Sequence, residues 1–292
     1  MKTTSLFLIS AATLVAGELS PNQIPPNTKW LAHVDIEGMR ASETGKVVFA
    51  RIEADHGAKL RAVKRMFSLH PLKDLRDVTL FGDGQKDHAV LLLDGTFDRG
   101  HIDDLLGAAD DYKESDYNGV TVRSWKDKGV GQYAAFATPE LIVFSRHEDL
   151  LRQELDVLKA NTPATDNPAL PAAGSKPLIA LGATLAEIEL PKDAARMLQT
   201  ASLLKLSAQE SDGRFSIKLG AEAADAKHAT RLRRMLDGVV ALAEAGNPDL
   251  STPGFQCDIG SSDKTVSASV SMPVLEWLLF LKKEADKRAP KH

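Results

Sequence analysis

Residues 77–106 read DVTLFGDGQKDHAVLLLDGTFDRGHIDDLL, and this stretch decides the fold. Asp77-Val78-Thr79-Leu80-Phe81 and His88-Ala89-Val90-Leu91-Leu92-Leu93 are two strand patterns, rich in β-branched and large apolar residues. Between them, Gly82-Asp83-Gly84-Gln85-Lys86-Asp87 supplies residues that accept the unusual backbone angles of a turn. Asp98 then stands where a helix N-cap belongs, ahead of Ile102, Leu105 and Leu106 at helical spacing. Strand, tight turn, strand and helix therefore follow without a break.

The same order recurs at 203–236, which reads LLKLSAQESDGRFSIKLGAEAADAKHATRLRRML. Strands at 203–207 and 215–219 flank the turn Glu210-Ser211-Asp212-Gly213. A long amphipathic helix over 226–244 carries Leu232, Met235, Leu236, Val239, Val240 and Leu242. Each copy has similar surroundings. A strand at 30–36 and a helical region from Val47 to Phe67 precede the first; strands at 120–122, 133–136 and 141–144 and a helix over 148–159 follow it. A strand at 177–183 and a short helix at 193–199 precede the second. The hairpin 257–259/266–270 and a helix starting after Pro273 follow it.

Between the halves lies NTPATDNPALPAAGSKP, residues 161–177, with four prolines and no apolar period, which predicts an extended connector. The expected fold is α+β, made of two similar split βαβ, ferredoxin-like halves, each an antiparallel sheet backed by helices. The predicted domains are 18–160 and 178–292, joined by the proline-rich linker 161–177. Over most of the chain this layout resembles uncharacterised secreted bacterial proteins with a two-repeat α+β organisation. The resemblance lies in element order alone and implies no activity.

Lys2 followed by the apolar run Leu6–Val15 and the small residues Ala16-Gly17 has the tripartite form of a secretory signal. The expectation is cleavage after residue 17 and an exported protein, periplasmic or extracellular. Losing Lys2 moves the net charge from −4 to −5, which offers no basic footprint for nucleic acid. Cys257 is the only cysteine, so no disulfide forms within the chain. No later stretch has the roughly 20 apolar residues of a membrane span.

His88, Asp94 and His101 are the candidate catalytic residues, in a polar group with Asp98, Asp103 and Asp104. The simpler reading gives Asp98 to a cap and Asp103 and Asp104 to the helix dipole. The spacing of the two histidines matches no metal motif, and no GxSxG, GxGxxG or phosphate loop occurs. Neither cofactor nor metal is expected. In the terminal helix Val274, Leu275, Trp277, Leu278, Leu279, Phe280 and Leu281 exceed what one apolar stripe holds, so Trp277 and Phe280 are the candidate interaction residues. The expected function is a non-catalytic binding or assembly module for a protein or small-molecule ligand. The alternatives are an extracytoplasmic hydrolase centred on His88, Asp94 and His101, and a peripheral envelope protein held weakly by its C-terminal helix.

Overall fold

The computed structural model describes residues 19–162, 166–172, 175–185, 188, 201–246 and 252–288. The signal expected at 1–17 and the short helix expected at 193–199 lie outside the described residues. The first half contains β1 (Trp30–Asp35), α1 (Ile36–Ala41), α2 (Glu43–Phe67), α3 (Pro71–Asp74), β2 (Leu75–Gly82), β3 (Val90–Gly95) and α4 (Arg99–Gly107). It continues with β4 (Lys113–Tyr117), β5 (Val120–Asp127), β6 (Val130–Thr138), β7 (Leu141–Ser145) and α5 (Glu148–Ala160). The second half contains β8 (Ile179–Thr184), β9 (Ala201–Ser211), β10 (Arg214–Ala223), α6 (Ala226–Gly246), β11 (Gln256–Ser262), β12 (Thr265–Pro273) and α7 (Val274–Arg288).

Local chemistry places most boundaries. Asp35 ends β1 and caps α1, its Oδ1 accepting from Gly38 N at 2.7 Å. Ser42 caps α2 through Gly45 N at 2.9 Å. The hairpins turn at Asn118-Gly119 and Asp212-Gly213, where both residues have positive φ, as a two-residue turn matching the strand twist requires.

The fold is mixed α+β, with helices packed on a large antiparallel sheet. Among the described residues its twelve strands run β11-β12-β10-β9-β8-β1-β2-β3-β7-β6-β5-β4. The two halves were expected to carry separate sheets, and here they share one. β1 pairs with β2 on one edge and with β8 on the other, Val34 opposite Ile179 and Trp30 opposite Ala183. A strand has hydrogen-bonding groups along both edges, and this pairing satisfies the second edge of β1 and that of β8 together.

Order within the halves is β1-β2-β3-β7-β6 and β8-β9-β10-β12-β11, with the β4–β5 hairpin appended to the first. β3 and β6 both run antiparallel to β7 between them, and so run parallel to each other. β10 and β11 do the same around β12.

On one face of the first half, Leu31, Phe81, Leu92, Val143 and Ala135 form a core with Leu151 and Leu155 of α5. The opposite face packs Val34, Val78 and Leu93 against Ile36, Phe49 and Leu69. In the second half α7 covers Ala208, Phe215 and Ile217 through Val274, Trp277 and Leu278. α6 covers Ala223 and Val266 through Ala229, Leu232 and Leu236.

The connector is not a free tether. Asn167, Ala169 and Leu170 are buried, and Leu170 joins the core under α5. The Asn167 carboxamide nitrogen donates to the carbonyls of Pro25 and Thr28 at 3.3 and 3.0 Å. A second tie crosses the halves. The Glu210 carboxylate of β9 accepts from Glu43 N and Thr44 N, both at 2.9 Å, at the start of α2. Against the upward push of burial, the Thr44 side chain, these two backbone donors and the charge of Lys46 hold its pKa below the usual range.

Candidate functional site

His88, Asp94 and His101 each answer to a different neighbour. His88 stands before β3, its Nδ1 3.3 Å from Asp83 Oδ2 and its ring centroid 4.3 Å from that of His147. Asp94 lies near the end of β3 and forms an ion pair with Arg76. From Val90 to Asp94 alone an extended strand spans about 13 Å, so β3 holds His88 and Asp94 apart. His101 Nε2 lies 2.9 Å from the Met66 carbonyl at the end of α2, and its backbone N donates to the Asp98 cap at 3.1 Å. Asp103 pairs with the buried Arg123 at 2.6 Å rather than serving the helix dipole alone. Among the described residues, no hydrogen bond or ion pair links any two of the three candidates. None of the described His, Cys, Asp or Glu residues form a group of three that could hold a metal ion.

The structure instead brings together residues that no motif pointed to. Asp35 lies opposite Asp77, and Asp77 opposite Asp94, so three carboxyls cross β1, β2 and β3 in one row. One step along, His33 faces Thr79, with Nδ1 2.8 Å from Oγ1, and both are buried. Burial, then the charges of Asp94 and Asp35, push the Asp77 carboxyl up to about 7, against the pull of Arg76. Burial also raises Asp94, which Arg76 pulls back. Such a row holds a proton near neutral pH, the property of a general acid or base. A small surface pocket is lined by Thr28, Phe81, Gly82, Asp83, Val90 and Gln153, at the opposite end of β2, and no member of the row lines it. The sequence signal was faint: each aspartate sits at one end of its strand, and only the register aligns them.

Glu154 is the other group that motif reading missed. It shares the inward side of α5 with Leu151, Leu155 and Leu158 at helical spacing, is fully buried, and among the described residues has no hydrogen-bond partner for either carboxyl oxygen. Burial pushes its pKa up to about 9, so it stays neutral at physiological pH.

The largest unused chemistry is apolar. Residues directly opposite on paired strands project to the same face. One row on the face that carries α6 and α7 runs Leu219, Leu206, Leu181, Ala32, Leu80, Leu91, Phe144. On β10, Phe215 and Ile217 lie under α7 and Ala223 under α6, leaving Leu219 between the helices. At the join of the halves Leu181 is 45% exposed and Leu80 36% exposed, although both are in mid-strand. On α6, Met235, Val239 and Leu242 share one exposed side.

Trp277 and Phe280 are half-buried. Trp277 stacks on Phe215 with centroids 4.4 Å apart, and Phe280 on Trp277 at 5.4 Å. Among the described residues, the large apolar side chains of α7 that meet solvent are Leu275 and Leu279. No described helix is long and apolar enough to cross a membrane.

No protein-family model matches the chain, and no curated protein matches it. Crystal structures of TP0453 have a similar fold. Crystal form III gives a TM-score of 0.52 at 9% identity, with 89% of this chain and 97% of that chain covered. Crystal form I gives 0.48 at 9% identity, over 89% and 94%, and crystal form IV 0.47 at 10%, over 90% and 96%. At such identity the likeness is one of fold alone.

Proposed function

We propose that this chain is an exported, non-catalytic binding or assembly module that engages a ligand or partner through apolar contacts at the join of its halves. The observation that carries the reading is the exposure of Leu181 and Leu80 on adjoining sides of Ala32, mid-strand at the centre of the sheet, on the face that carries α6 and α7. Mid-strand leucines left in water are costly unless something covers them, at about 25 cal/mol per Å² of apolar surface. Export is supported by the Lys2, apolar and small-residue pattern of the first seventeen residues.

We read the two halves as two split βαβ, ferredoxin-like copies of one unit, divided at the connector. Support comes from the common strand order and from the parallel pairs β3/β6 and β10/β11, each split by a later strand.

A titration with a naphthylamine fluorophore, which brightens in apolar surroundings, tests the binding reading. The parent protein should enhance its emission, and Leu80→Ser/Leu181→Ser should lose most of that enhancement at unchanged circular dichroism. Equal enhancement in both proteins rejects the sheet face as the site.

Leu275 and Leu279, 77% and 61% exposed, favour a second reading in which α7 rests weakly on an envelope surface. Under it, Leu275→Ser/Leu279→Ser abolishes co-flotation with anionic lipid vesicles. Unchanged flotation, or none in the parent, rejects it.

A further inference from the structure

Every open sheet has two edges, and the two edges here differ. β4 reads Lys113-Glu114-Ser115-Asp116-Tyr117, with its first four residues exposed. Its hairpin is also pinned to α5 through Tyr117 Oη and Asn118 Nδ2, which donate to Asp156 at 2.7 and 3.2 Å. Closely spaced charges on a short edge are a common protection against unwanted strand addition. β11 reads Gln256-Cys257-Asp258-Ile259-Gly260-Ser261-Ser262, with one charge in seven residues. It pairs with β12 from Gln256 to Ser262 in continuous register, with no bulge to turn it aside. Among the described residues no strand pairs with its outer edge.

Two further observations concern what fits there. The apolar row continues from Leu219 through Ala268 to Ile259, so it ends half-buried at the rim of the sheet. A second copy of β11 can also pair with this edge so that the apolar row continues through Ile259 and no like charges meet. Antiparallel pairing of two copies about Ile259 sets Asp258 opposite Gly260, Cys257 opposite Ser261 and Gln256 opposite Ser262. A register centred on Asp258 would set two carboxylates face to face, which is unfavourable.

We propose that β11 is the docking edge for a second copy of this chain, in an isologous antiparallel pair centred on Ile259. The two sheets then continue through one another, the Ile259 side chains meet on the α6 face, and each Asp258 lies against the glycine of the other copy. The operation is a two-fold, so the interface closes at a dimer. The other edge, β4, stays charged and, among the described residues, pairs with no further strand. This inference is independent of the ligand reading, because Leu80 and Leu181 lie toward the middle of the sheet.

Sedimentation velocity on the full chain, over a range of concentrations, tests it together with two sets of variants. The parent protein should sediment as a monomer–dimer equilibrium. Gly260→Asp places a carboxylate against Asp258 of the second copy twice per dimer and should abolish the dimer. Asp258→Lys/Gly260→Asp exchanges the repulsion for attraction and should restore it, which separates a lost contact from a lost fold. Ser261→Cys should give a covalent dimer on copper-catalysed oxidation, through Cys257 of one copy and the introduced thiol of the other. A monomeric parent at every concentration overturns the proposal. So does a dimer that survives Gly260→Asp and forms no Cys257 cross-link.

Discussion

Replacing Glu154 by leucine should make the protein more stable and remove a pH dependence. Glu154 is fully buried and has no hydrogen-bond partner among the described residues, and such a carboxyl strongly prefers its neutral form. Its pKa moves from 4.5 in the unfolded chain to about 9 in the folded one. Between those values the native state holds a proton that the unfolded state has released. The Glu154 contribution to stability is therefore most favourable below pH 4.5 and falls as pH rises through this window. Each pH unit costs up to about 1.4 kcal/mol, so the loss from pH 5 to pH 7 is about 2–3 kcal/mol. Leucine, similar in size, fits among Leu151, Leu155 and Leu158 without a proton to hold. Urea unfolding of parent and Glu154→Leu at pH 5, 6, 7 and 8 reads the difference directly, since all other titrations cancel. The difference should grow with pH and reach about 3 kcal/mol in favour of the variant at pH 7. A constant difference, or a variant less stable at pH 7, would refute the buried, unpartnered carboxyl.

Asp77→Asn should flatten a second part of the same profile. Its pKa is raised to about 7 from 3.8, so it too disfavours the native state increasingly from pH 4 to pH 7, as parallel unfolding curves can show. Glu210→Gln works in the opposite sense: its pKa is lowered, so its contribution is complete above the unfolded value and disappears as pH falls below about 4. At neutral pH the variant should cost about 1–2 kcal/mol by weakening the cap on α2, measured by chemical denaturation. Leu151→Ala removes a fully buried side chain and should cost about 2–5 kcal/mol. Leu279→Ala, in solvent, should stay within about 0.5 kcal/mol of the parent in the same assay.

Local patterns in the chain determine much of this fold. The hairpin after Phe81 and that around Asp212-Gly213 are legible because turn residues interrupt clear strand patterns. β4 is not, because Lys113-Glu114-Ser115-Asp116 has no apolar alternation and lies at an exposed edge. The connector misleads through its prolines. They make a chain extended, but Asn167 then satisfies carbonyls of the Pro25–Thr28 segment and carries Leu170 into the core. The carboxyl row and the exposed leucine pair depend on which strands become neighbours, above all on β1 taking β8. No local pattern encodes that pairing. Glu154 lay within reach of sequence reading, since it occupies the inward position between Leu151 and Leu155, where a carboxylate is out of place.

A methyl-resolved NMR titration of the leucine-labelled full chain with the naphthylamine fluorophore tests the central claim most directly. The largest shifts should fall on Leu80 and Leu181, with Leu91 and Leu206 next. Shifts confined to Leu275 and Leu279, or to Leu150 beside the small pocket, with Leu80 and Leu181 unmoved, would contradict it.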